Sequence, residues 1–154
     1  MENLRTSSQQ KSPINEFRLF AHGQTFDLDA YLATTTLKFD GVWRKGEFRH
    51  DHPKSSGAFK VLGDRATLLL FEQEQIAIAY LSANREALQL LARTPGVSTL
   101  ILGLQYHVEL NEGTVGFAMG PAAALMRLAL EIGISPTFYV TMDRRKEWEA
   151  NAES

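Results

Sequence analysis

Thr99-Leu100-Ile101-Leu102-Gly103-Leu104-Gln105-Tyr106-His107-Val108-Glu109-Leu110, then Asn111-Glu112-Gly113, then Thr114-Val115-Gly116-Phe117-Ala118-Met119 is the stretch that decides the fold class. Two apolar, β-branched-rich runs flank three residues that contain a glycine, which is the pattern of a β-hairpin with a short loop. An antiparallel element at this point, with helical patterns on both sides of it, argues for an α+β protein rather than a βαβ repeat.

The N-terminal neighbours extend this picture. Glu16-Phe17-Arg18-Leu19-Phe20-Ala21 alternates polar and apolar side chains and predicts a half-buried strand, followed by a turn at His22-Gly23-Gln24. Thr25 or Asp27 is placed to cap a short helix over Asp27 to Thr34, with Leu28, Tyr31 and Leu32 on one side. Thr34-Thr35-Thr36 ends it, because β-branched side chains are stiff in helices. Short strands are expected around Val42-Trp43 and Phe59 to Leu62, inside a glycine-rich stretch. Thr67 to Phe71 is a continuous apolar run that we read as a strand, although periodicity alone does not separate it from the start of a helix.

The longest helix is expected over Glu74 to Arg93, with Ile76, Tyr80, Ala83, Ala87, Leu88 and Leu91 at near-helical spacing and a kink near Ser82-Ala83-Asn84. Thr94-Pro95-Gly96 stops it. C-terminal to the hairpin, Pro121 opens a helix over Ala122 to Ile132, with Gly133 as its cap, and Thr137 to Met142 forms a last strand. The expected layout is helices packed on one face of a mainly antiparallel sheet, ferredoxin-like, in one domain over residues 16–142. Residues 1–15 lack apolar periodicity and are expected to be a mobile leader, and 143–154 a charged tail.

Composition closes several functional classes. The chain has 154 residues and no cysteine, which excludes disulfide scaffolds, zinc-thiolate sites, Fe–S clusters and thiol nucleophiles. A chain this long buries about 70% of its unfolded surface and needs no staple. Lys and Arg number 16 against 18 Asp and Glu, for a net charge of -2. No basic excess supports a nucleic-acid partner or an anionic membrane partner. No window approaches the roughly 18 to 20 apolar residues of a membrane span, and the polar N-terminus is no signal peptide, so a cytoplasmic location is expected.

The near-neutral total hides a regional bias. Residues 38–65 hold seven Lys and Arg against four acids, and 66–137 hold three Arg against six Glu. Within the basic part, Val42-Trp43-Arg44-Lys45-Gly46-Glu47 is the strongest candidate for a binding surface. A Trp beside two cations, a Gly that frees the backbone and a carboxylate can make an aromatic platform with anion-binding donors. The same residues also suit a structural corner, with Trp43 packed inward and Arg44 or Lys45 paired to a neighbouring acid. His50 and His52 share one side of an extended chain, but two imidazoles without further ligands make no metal site, and none is expected. Asp27 and Asp29 stand where helix capping explains them. No nucleophile elbow, phosphate-binding loop, dinucleotide fingerprint or zincin helix occurs, and no cofactor is expected.

Several of these stretches together resemble a bacterial domain-of-unknown-function family, number 4279. The likeness is carried by Phe17-Arg18-Leu19-Phe20 with Gly23, by Phe26-Asp27-Leu28-Asp29, by Trp43-Arg44-Lys45-Gly46-Glu47, and by Gly116-Phe117-Ala118-Met119 ahead of Leu125, Leu128 and Gly133. It spans about residues 15–142, and the Trp-Arg-Lys-Gly-Glu string is its most distinctive part. The resemblance implies no activity, cofactor or catalytic residue. Two functional expectations therefore stand beside each other. One is a non-enzymatic binding or interaction module, a homodimer through a sheet edge or the long helix, or a toxin-neutralising immunity-type protein. The Trp43 loop is the recognition surface in that first reading; the other is an enzyme or sensor for an anionic small molecule, with Arg44, Lys45, His50 and His52 near a pocket, so the expected ligand- or partner-binding residues are Trp43, Arg44, Lys45, Glu47, His50 and His52.

Overall fold

The structure is a computed structural model, and it describes residues 16–47, 54–63, 70–109 and 123–143. Among the described residues five strands and four helices follow one another as β1 (Glu16–Gly23), α1 (Leu28–Thr34), β2 (Gly41–Trp43), β3 (Ser56–Leu62), α2 (Leu70–Ala83), α3 (Arg85–Ala92), β4 (Thr99–Glu109), α4 (Ala123–Ile132) and β5 (Ser135–Asp143). The class is α+β, with one mixed sheet in the order β2-β3-β1-β4-β5. The β2–β3, β3–β1 and β1–β4 pairs are antiparallel, and β4–β5 is parallel.

The alternation legible in β1 sets the two faces of the sheet. Phe17, Leu19, Ala21 and Gly23 are buried, and the residues between them are half-buried. Register carries this parity across the sheet: Phe17 lies between Leu62 and Leu104, Leu19 between Lys60 and Leu102, and Ala21 between Ala58 and Leu100. Apart from Lys60, which is half-buried and pairs with Asp40, these inward residues form one core with Leu28 of α1, Ala77 and Leu81 of α2, Leu88 and Leu91 of α3, and Leu125, Ala129 and Ile132 of α4. Each fully buried leucine in it contributes about 1.5–3 kcal/mol of transfer free energy.

Helix boundaries follow local chemistry. The Asp27 carboxylate accepts the Ala30 backbone N–H at 3.0 Å and so caps α1. The expected kink in the long helix is a break: α2 ends at Ala83, Asn84 stands between at φ −110° and ψ 16°, and α3 starts at Arg85. Asn84 donates its side-chain amide to the Tyr80 carbonyl at 2.9 Å, a local bond that competes with helix continuation. The buried stripe on α2 is Ala77 and Leu81, one position on from the expected Ile76 and Tyr80, and Ile76 is exposed.

Two expectations are corrected or fall outside the description. Leu70 and Phe71, read as the end of a strand, open α2, and Phe71 is 69% exposed; 67–69 lie outside the described residues. An apolar run lacks the information to choose its period, and here the helix wins with Phe71 turned to solvent. The first arm of the expected hairpin is β4, whereas 114–119 lie outside the described residues. Over Ile101 to Gln105, β4 has β1 on one side and β5 on the other. Among the described residues no helix is long and apolar enough to cross a membrane.

Candidate functional site

The strongest sequence candidate is a turn at the β2 edge of the sheet. Trp43 ends β2, and Arg44 to Glu47 close a four-residue turn in which the Glu47 N–H donates to the Arg44 carbonyl at 3.0 Å. Gly46 occupies its third position at φ +88°, the left-handed conformation that a type II turn demands there. Glu47 returns the bond, its carboxylate accepting the Arg44 N–H at 3.0 Å. The Lys45 N–H donates to the Ser56 hydroxyl at 2.9 Å, which pins the turn to the start of β3.

The Arg44 guanidinium is committed to carboxylates. Its Nη2 donates to Asp29 Oδ1 at 2.7 Å, its Nε lies 3.2 Å from both Asp29 oxygens, and Glu47 stands 3.9 Å away. This fork holds the Asp29 carboxyl below its ordinary range and raises Arg44 further. Asp29 therefore is not a cap in the way Asp27 is: it ties α1 to the β2–β3 turn across 15 positions of chain. Separation in sequence gave no signal for that pairing. His50 and His52 lie outside the described residues. The imidazole that does stand against Trp43 is His22 of β1, with ring centroids 6.2 Å apart.

Trp43 is not in the core with the leucines. It lies on the opposite sheet face, where its ring covers Gly57 of β3: a Cβ on Gly57 would fall 2.3 Å from Trp43 Cζ2. The same device recurs beside it, with the Phe59 ring over Gly41 and Phe20 and Tyr139 flanking Gly103. Aromatic rings laid over strand glycines fill the gaps that missing side chains leave. Phe20 and Phe59 also pack together, 6.2 Å between centroids, and Arg18 sits 5.4 Å over the Phe59 ring while bonding Glu16 at 2.6 Å. The Trp43, Phe20 and Phe59 rings of this face are thus packed on the sheet, and Arg18 is engaged.

Elsewhere two adjoining open depressions of about 540 and 430 Å³ lie between the Thr34–Thr36 segment and α3, sharing Thr36, Ala87 and Leu90. Among the described residues no group of three or more His, Asp or Glu is placed to hold a metal ion. Three consecutive large side chains of β5 stand out on the other edge of the sheet: Phe138 is 46% exposed, Tyr139 52% and Val140 46%. Nothing flagged them in the sequence beyond their place in a final strand. A strand pattern does not say whether it is central or at an edge.

Comparison with family models, with curated proteins and with solved structures finds no match to this chain.

Proposed function

We propose that this chain is a non-enzymatic binding module that docks protein through the β5 edge of its sheet. One observation carries it: among the described residues β5 is an edge strand, with no charged residue from Ser135 to Met142, and it exposes Phe138, Tyr139 and Val140 in a row. Edge strands with free backbone groups are templates for added strands, and proteins that must not pair there place charges on them. The anionic-ligand alternative has weaker support, because Arg44 is already clasped by Asp29 and Glu47. An immunity-type role is one form of the docking function. A cytoplasmic location is part of the same proposal, and a lack of nucleic-acid partners accords with the net charge of -2 and with the engaged Arg18 and Arg44.

The same proposal includes the finer architecture and the family. Support for a ferredoxin-like layout comes from the β1-α1-β2-β3-helix-β4 succession with the antiparallel order β2-β3-β1-β4, to which β5 is added in parallel. The burial of a single strand parity supports helices against one face only. Kinship with domain-of-unknown-function family 4279 rests on the Trp43 to Glu47 string, which here builds one closed turn. The docking function is tested by parallel pull-downs of wild type and Val140→Lys from the cytoplasm of the source cell. The expected outcome is a stoichiometric partner kept by wild type and lost by a variant of unchanged circular dichroism. Equal retention by both chains refutes it.

A further inference from the structure

We infer that the occupant of the β5 edge is a second copy of this chain, added antiparallel about a two-fold axis at Tyr139. The inference rests on the docking function above and narrows it to one partner.

Among the described residues the two edges of the sheet are built in opposite ways. At the β2 edge the strand is three residues long and charged groups flank it: before it, the Asp40 carboxylate accepts the Val61 N–H at 2.7 Å and pairs with Lys60 at 3.4 Å, and after it stand Arg44, Lys45 and Glu47. That edge is blunted by the devices that keep sheets from adding strands. At the other edge, β5 runs for nine residues, Ser135–Asp143, and is neutral until its last residue. It has long, apolar character without a gatekeeper charge.

Self-pairing fits this strand in a specific register. In an antiparallel ladder centred on Tyr139, Phe138 stands opposite the partner's Val140 and Val140 opposite the partner's Phe138. An aromatic residue against a β-branched one is among the favourable cross-strand pairs, and the two-fold axis makes it twice. Tyr139 meets its twin on the other face. The strand's one acid, Asp143, falls opposite the partner's Ser135, so like charges do not meet. Pro136, which has no N–H to donate, is the one blunting device on this strand; in this register it stands near the strand's start, opposite the partner's Met142, and leaves the ladder from Thr137 to Thr141 complete. The result is a continuous ten-stranded sheet with both neutral edges used up.

The absence of cysteine makes the register directly measurable. Facing residues of an antiparallel pair have Cα atoms about 4.5–5.5 Å apart, within the span of a disulfide. Sedimentation velocity over the micromolar range, with Val140→Lys beside wild type, reads the association itself. Air oxidation of the single-cysteine variant Tyr139→Cys, with exposed Leu90→Cys as control, reads the geometry. Expected are a wild-type dimer, its loss in Val140→Lys, and a covalent dimer from Tyr139→Cys much faster than from Leu90→Cys. If Val140→Lys does not fold, the comparison of the two cysteine variants decides alone. A wild-type chain that stays monomeric, or cross-linking no faster from Tyr139→Cys than from Leu90→Cys, overturns the inference. A monomer whose β5 edge still captures a different protein overturns the second copy and leaves the docking function standing. A monomer that captures nothing through β5 removes both.

Discussion

Replacing Gly57 by alanine tests the feature that distinguishes the Trp43 corner from an exposed platform. The added Cβ would stand 2.3 Å from Trp43 Cζ2, 2.6 Å from the Ala21 carbonyl oxygen and 2.6 Å from His22 Cβ. Real side chains do not approach so closely, so the indole must slide off β3 and the β1–β3 pair must open slightly. Overpacking of this kind costs about 1–3 kcal/mol. Alanine returns about 0.4–1 kcal/mol by stiffening the unfolded chain. A net loss of roughly 1–2 kcal/mol follows, which for a domain of this size lowers Tm by about 3–6 °C. Calorimetry on wild type, Gly57→Ala, Trp43→Ala and the double variant separates the causes. Removing the indole relieves one of three contacts, so the cost of Gly57→Ala should fall by about 0.5–1.5 kcal/mol in the Trp43→Ala background without vanishing. A Gly57→Ala protein that melts at or above the wild-type temperature, or a cost indifferent to Trp43, would refute the packing of the indole over β3.

Three further outcomes are expected. The Tyr80 hydroxyl is buried with no hydrogen-bond partner among the described residues, so Tyr80→Phe should match wild type or exceed it by up to about 1 kcal/mol in urea unfolding; a clear loss would reveal a partner. Burial, together with the buried Glu74 nearby, pushes the Tyr106 hydroxyl from 10.0 up to about 12. The fold favours its neutral form, so stability is full below pH 10 and falls as pH rises towards 12, by on the order of 2 kcal/mol; Tyr106→Phe should flatten that fall, and an unchanged alkaline profile would count against it. The Asp29 carboxyl is held below its ordinary 3.8 first by its hydrogen bonds from Arg44, so its contribution stands above that pH and is lost as pH drops through the lower folded value. Asp29→Asn should therefore melt below wild type at neutral pH, with the gap closing in acid and shrinking in salt; a gap independent of both would show that the ion pair is not its source.

Local rules explain much of what could be read in advance. β1 was legible because alternation in Glu16 to Ala21 is itself the burial pattern of a strand with one face inward. The α1 cap was legible because Asp27 needs only a backbone N–H three residues away. The break at Asn84 was half legible, since a side chain able to bond the preceding turn invites an interruption without determining whether the helix kinks or ends. Leu70-Phe71 was misread because apolar content has no period. Of the candidate surface, Arg44 to Glu47 are joined by bonds within a four-residue turn that directly follows Trp43, a local unit that adjacency in sequence makes visible. The clasp of Asp29 on Arg44, the contact of His22 with Trp43 and the indole over Gly57 join residues on different elements, and no spacing encodes them.

By itself the sequence determined the α+β class, the approximate places of most elements, and the chemistry closed off by a chain without cysteine and with balanced charge. Those are properties of residue type and of short-range periodicity, which act within a few positions. Only the tertiary structure decided that β4 lies between β1 and β5, that β5 runs parallel to it at an edge, and that Phe138, Tyr139 and Val140 are left in view. Strand order depends on which long loops close and on which faces can be buried together. That free-energy balance belongs to the whole chain and not to any one stretch of it.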